Sequence, residues 1–416
     1  MQGQVVLGQT DNAPRFSVRL HYLDSLRVLA ILGVFLFHAV HPFDDVSDWT
    51  IKNAELSETV TAFLGLLFPW GMPFFFLIAG TGSWFALRRR TAGQFAIERF
   101  QRLLIPYLVG CILLSPIMLY FQWRNVALRD LWHGPFWQYV LFHRAGFSPR
   151  WFGEVGYHLW FLGFLFCFSL LGLPLFLWLK GKSGQAVLAR LAGVCTRRGG
   201  ILLFIIPLLL VRLGLKPFFP LEQDWGDFFY LMAMFVLGFV LYAHEGFPSA
   251  IRRDWAILVV MTIVSTVAWA YLALTDESLD LWASPRNLRD FSLWTVITIN
   301  SWCWTTLMLF IGMRYLDSSN EWLRYGQEAV LPFFLLHQPV IVVIAFYVVQ
   351  WQVGIPVKLL TVVLGSFIAT LAIYELVIRK LGPLRTLFGM KARPRTPDIQ
   401  PLEATPLSGG GDQPSD

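Results

Sequence analysis

LDSLRVLAILGVFLFHAV, residues 23–40, is an apolar run that carries one guanidinium, Arg27, and one imidazole, His38. About 20 such residues cross a hydrocarbon core about 30 Å thick. An ionisable side chain at a helix centre costs about 2.5–3.5 kcal/mol on insertion scales, so function is the default expectation for a residue kept there. Arg27 and His38 are eleven positions apart. At about 100° per residue they fall within roughly 20° of one face, about 16 Å apart along the axis. Read as packing residues, Arg27 would snorkel to headgroups and His38 would hydrogen-bond between helices. Their shared face favours a functional pair. Asp24, three positions before Arg27, can orient its guanidinium or cap the helix.

The rest of the chain fits a membrane setting. Its 416 residues are 56% hydrophobic and only 14% charged, where a soluble domain carries about 25%. Many of the 18 Trp sit at the edges of apolar runs, as interfacial anchors do. Ten candidate spans follow: 24–43, 61–86, 103–121, 157–179, 200–217, 227–244, 254–274, 291–313, 330–351 and 355–379. The expected fold is therefore all-α and polytopic, with about ten transmembrane helices. Residues 1–20 form an N-terminal segment, 21–389 the membrane domain, and 390–416 a tail rich in Pro, Gly, Ser and Asp that cannot order itself. The first apolar run has no small-residue cleavage site and is expected to stay as an uncleaved helix.

Most of the 33 Lys and Arg fall on the N-terminal side of this alternation. Lys180, Lys182, Arg190, Arg197 and Arg198 share one loop without an acid, while Asp44, Asp45, Glu55 and Glu58 lie in an opposite loop. The positive-inside rule then puts both termini in the cytoplasm. Such scattered cations mark topology and exclude a nucleic-acid face. The four Cys have no metal-ligand spacing, and neither a metal nor a structural disulfide is expected. The stretch within 122–156, with DLWHGPFWQYVLFH, reads as an amphipathic interfacial piece.

Other polar groups in or near the spans are Glu154 and His158, i,i+4 at the start of the fourth, and His337, two residues before Pro339 in the ninth. The first two would hold an acceptor, move a second proton, or form an interfacial cap. His337 is either functional or a packing residue. Arg212 is expected to snorkel. Arg99 and Arg102, i,i+3 in a basic loop, are better anion ligands than the Arg88, Arg89 and Arg90 run beside them.

The stretch RLHYLDSLRVLAILGVFLFHAV resembles the opening helix of acyltransferase family 3, integral-membrane acyl-CoA-dependent O-acyltransferases, whose hallmark is an Arg and a His with ten residues between. RRRTAGQFAIERFQRLLIPYL resembles the family's basic inner loop, GYHLWFLGFLF a Leu-Trp-Phe-Leu helix start, and YGQEAVLPFFLLHQPVIVV its penultimate helix. The resemblance runs from about Arg19 to Arg379. The HLWFL and EAVLPFFLLHQPVI stretches look most like the glucans biosynthesis protein C branch, associated with succinyl substitution of periplasmic glucans.

The resemblance implies an inner-membrane enzyme that uses acyl-CoA as donor substrate, binds no permanent cofactor and acylates a glycan. His38 would be the catalytic group, as a general base or an acyl-carrying nucleophile. Arg27, Arg99 and Arg102 would bind the donor, with Asp24, Glu154, His158 and His337 as accessory or acceptor-side groups. A polytopic transporter or flippase is the alternative, since many permeases also carry ionisable groups in the membrane. The sequence assigns no oligomeric state.

Overall fold

The computed structural model describes residues 20–45, 49–124, 148–275 and 281–391. The expected disordered tail, apart from its first two residues, lies outside the described residues, as does most of the expected interfacial piece in 122–156. The described residues contain helices and no strand. Among the described residues, nine helical stretches are long and apolar enough to cross a bilayer: α1 (His21–Phe43), α2 (Glu58–Leu87), α3 (Ala92–Arg124), α4 (Trp151–Leu171), α6 (Trp225–Ala243), α7 (Trp255–Leu274), α8 (Leu288–Tyr315), α9 (Glu321–Val348) and α10 (Ile355–Ile378), with a shorter α5 (Gly200–Leu215) between the fourth and fifth. The protein is an all-α polytopic membrane protein.

Two expected spans are corrected. The fifth is not a full-length helix: it starts as a 3-10 turn, Gly200–Phe204, and its α-helical part, Ile205–Leu215, has only 11 residues. At 1.5 Å per residue that part covers about 16 Å. Gly199, at φ +75°, sets the chain direction just before it. The fourth span begins earlier than 157 and stops at Leu171, because Pro174 opens a separate helix, Leu173–Lys180.

Side-chain caps mark several helix starts where orphan N–H groups need acceptors. Thr91 and Gln94 form a reciprocal capping box at α3, Asn287 accepts from Asp290 at α8, and Asn320 accepts from Leu323 at α9. Burial within the spans then sorts the bundle. Two thirds of the most apolar window of α6 and of α9 is buried, 67% in each, against 22% for α7 and 28% for α10, so α6 and α9 are central and α7 and α10 peripheral.

α1 packs against α2, α8, α9 and α10. The closest crossing is that of α2 and α6. A Cβ on Gly80 would lie 1.9 Å from the Phe235 carbonyl oxygen, and one on Gly238 would lie 1.9 Å from that of Leu77. Only hydrogen fits at both positions, and small residues of this kind let membrane helices pack backbone to backbone. This contact fixes α2, and α2 in turn seats the arginines described below.

Candidate active site

Three imidazoles from three spans converge. The ring centroids of His38 on α1 and His337 on α9 are 5.3 Å apart, those of His158 and His337 5.0 Å, and those of His38 and His158 6.4 Å. Local backbone chemistry explains the two partners of His38. Tyr157, at φ 51°, turns the chain out of the Trp151–Gly156 helix, and the 3-10 turn Tyr157–Leu159 then carries His158 into the core. Glu154 stays behind, 3.7 Å from Arg150. The two residues therefore do not share one helical face, and the cap-pair reading fails because the helix is interrupted between them.

Pro339, which has no N–H, leaves the Leu335 carbonyl outside the α9 ladder. His158 Nε2 lies 3.3 Å from that oxygen and 3.1 Å from the Phe334 oxygen, while His337 Nδ1 lies 2.6 Å from the Phe334 oxygen. Carbonyl oxygens only accept, so both of these nitrogens carry their protons. The opposite nitrogens, Nδ1 of His158 and Nε2 of His337, are left as bare lone pairs. Both are buried without a hydrogen-bond partner, as is Nδ1 of His38. Phe35 packs edge-on, Phe333 stacked and Phe334 tilted against the His337 ring, and together they shield the cluster.

The loop that follows α1 covers the cluster. Trp49 stacks on His38 and on His41, with centroids 6.5 and 5.6 Å away. His41 pairs through Nδ1 with the fully buried Asp44, which also meets Lys52 at 3.2 Å. Spacing alone pointed to neither role, although His41 and Asp44 are i,i+3.

A cavity of about 450 Å³ lies along α1, lined by Leu26, Gly33, Phe37 and His38. It reaches Trp160 and Met308 and extends to Arg212, Gln223 and Asp227. His38 thus belongs to both the imidazole cluster and the cavity.

At the N-terminal end of α1, Arg27 pairs with Asp24 at 3.3 Å and lies against α2, where a Cβ on Gly82 would be 3.4 Å from its Nη2. Arg99 Nη2 donates to Ser83 Oγ at 3.3 Å, and its guanidinium covers the Phe95 ring at 4.6 Å. Gly82–Ser83 of α2 therefore seats both guanidiniums. Arg102 is directed elsewhere, to Glu98 at 3.4 Å and the Gly389 carbonyl at 3.4 Å. A π-helical turn, Phe100–Leu104, separates it from Arg99. The wider i→i+5 turn rotates the two residues apart, so the i,i+3 face expected from the sequence does not form.

Arg212 is also corrected. Instead of snorkelling it is 7% exposed, with its guanidinium 3.6 Å from the Tyr230 ring centroid and 3.4 Å from Asp227. Among the described residues, no group of His, Cys, Asp and Glu is arranged to hold a metal ion.

This assembly can deprotonate a hydroxyl at His38 and hold an anion at Arg27 and Arg99. No curated protein and no solved structure matches the chain. A family model described as an acyltransferase domain, that of acyltransferase family 3, matches residues 20–375. That match takes in every imidazole and guanidinium of the site, and the chain belongs to this family of membrane acyltransferases.

Proposed function

We propose that the protein moves an acyl group, acetyl or succinyl, from cytoplasmic acyl-CoA to a hydroxyl of an envelope glycan across the inner membrane. The observation that carries this reading is the position of His38, an imidazole that lines the cavity and is backed by two further imidazoles with bare lone pairs. The cation asymmetry along the chain supports a cytoplasmic Arg27 end. The resemblance to the glucans biosynthesis protein C branch favours a periplasmic glucan as acceptor.

In this reading the CoA phosphates meet Arg27 and Arg99 on the Gly82–Ser83 seat, and Asp24 holds the Arg27 guanidinium in place. Arg102 is 44% exposed and already paired with Glu98, so it adds a weaker contact. The thioester reaches His38. The acceptor hydroxyl gives its proton to His38, its oxygen bonds to the thioester carbon, the C–S bond breaks, and the CoA sulfur leaves with a proton returned from the imidazole. His337 and His158 flank His38, and their lone pairs favour the positive charge that it gains on taking the proton.

The test uses purified full-length protein, with CoA release measured from acyl-CoA and acylation of envelope glycans followed by mass spectrometry. His38→Ala should abolish transfer while the protein stays folded. Full activity in that variant would overturn the reading. Unchanged glycan acylation in cells lacking the protein, with altered uptake of a solute, would instead support a transporter.

A further inference from the structure

The far end of the His38 cavity contains charged groups that the acyl transfer described above does not use. Arg212, on α5, lines the cavity, and Lys216, one turn further along, lies behind it at 1% exposure. Aromatic faces surround both cations. Arg212 lies 3.6 Å from the Tyr230 centroid and 4.9 Å from that of Trp294; Lys216 Nζ lies 4.5 Å from Trp294 and 5.4 Å from Trp282. Ring faces stabilise a cation without satisfying its N–H groups. The Asp227 carboxylate is shared between them, 3.4 Å from Arg212 Nη1 and 3.7 Å from Lys216 Nζ. Two positive charges thus share the half-buried carboxylate of Asp227, while Glu222, which also lines the chamber, has its carboxyl pushed up to about 7 by desolvation and by Asp227 and so offsets the two cations only in part. Arg212 Nε and Lys216 Nζ remain buried without a hydrogen-bond partner.

Unpaired buried donors on cations are costly unless something accepts from them. A guanidinium fork backed by an ammonium matches a carboxylate in shape and charge. We infer that Arg212, backed by Lys216, is a binding site for a carboxylate group of a substrate that occupies the His38 cavity. The inference rests on the acyltransferase reading for which substrate carries that group. It is either the distal carboxylate of a dicarboxylic acyl chain or an acidic sugar of the acceptor. Asp227 plays the opposite part, competing with the incoming carboxylate and holding the two cations together when the site is empty.

The experiment is isothermal titration of the full-length protein in nanodiscs, without turnover. Glucuronate is compared with glucose, and succinyl-CoA with butyryl-CoA, each pair matched except for the carboxylate. One anionic member should bind at least tenfold more tightly than its neutral counterpart, and which pair shows the difference identifies the source as sugar or acyl chain. Arg212→Gln should erase the difference. Asp227→Asn should tighten anion binding severalfold, a gain that loss of folding cannot produce. Equal binding within both pairs overturns the inference, and so does an undiminished preference in a folded Arg212→Gln protein. Because the readout is binding, a protein that transfers no acyl group can still show the site, and an active one can lack it.

Discussion

Gly80→Ala tests whether the α2–α6 crossing sets the donor seat. The added Cβ would meet the Phe235 carbonyl oxygen at 1.9 Å, where ordinary contact begins near 3.4 Å, so α2 must retreat by about 1.5 Å. The obstacle is backbone, which cannot rotate away as a side chain can. Overpacking of this kind costs about 1–3 kcal/mol. The larger effect is expected on activity, because Gly82 and Ser83, two and three residues on, support Arg27 and Arg99. Misplacement by about 1 Å costs on the order of 100-fold in rate, or about 2.7 kcal/mol of barrier. The assay is CoA release over a range of donor concentrations, beside thermal unfolding in the same detergent. Gly214→Ala is the control: nothing lies within 4 Å of its Cβ, so activity should be unchanged and stability equal or slightly higher. A Gly80→Ala protein with wild-type unfolding and wild-type turnover would show that α2 and α6 are not in backbone contact and that the seat does not depend on them.

Other expectations follow from the same geometry. His337→Gln should lower kcat by about 10- to 1,000-fold with little change in donor KM, since its ring lies 5.3 Å from that of His38 and away from the Arg27 and Arg99 seat; a KM effect alone would place it in donor binding. Arg99→Ala should raise donor KM more than Arg102→Ala, the reverse order arguing that the exposed Arg102 is the phosphate ligand. Hydrogen bonds from Arg253 hold the Asp254 carboxyl below its ordinary range, with the Gly199 N–H adding to them. Its stabilising contribution is therefore complete above the unfolded-state value and lost as pH falls through the folded one. Asp254→Asn should cost about 1–3 kcal/mol at neutral pH and flatten the acid limb of the unfolding profile; an unchanged limb removes Asp254 from that role.

Hydrophobic run length, which depends on neighbours along the chain, located nine of the spans, although the third and ninth helices begin well before the expected bounds and the fourth is displaced. It overstated the fifth, where Gly199 and a 3-10 turn shorten the helix without lowering its hydropathy. The Arg27 and His38 pair was legible for a similar reason, since their angular relation is a property of one helix. The i,i+4 relation of His158 to Glu154 was read by carrying helical periodicity across Tyr157, whose positive φ ends it. The face that Arg102 was expected to share with Arg99 is lost in the same way across a π-turn. Arg212 had a signal that hydropathy hides: Lys216 is one turn away and aromatic residues lie on the helices that enclose it.

By itself, the sequence determined the membrane solvent, the all-α class, the helix carrying Arg27 and His38, and the proline that frees a carbonyl in α9. These follow from backbone hydrogen bonding in hydrocarbon and from the 3.6-residue repeat, both local. Only the tertiary structure decided that His158 and His337 surround His38, that Arg27 and Arg99 share a seat while Arg102 leaves it, and that Arg212 is buried in the same cavity as His38. Those relations depend on how helices cross, and crossings are set by packing between residues far apart in sequence, above all the backbone contact that Gly80 and Gly238 permit.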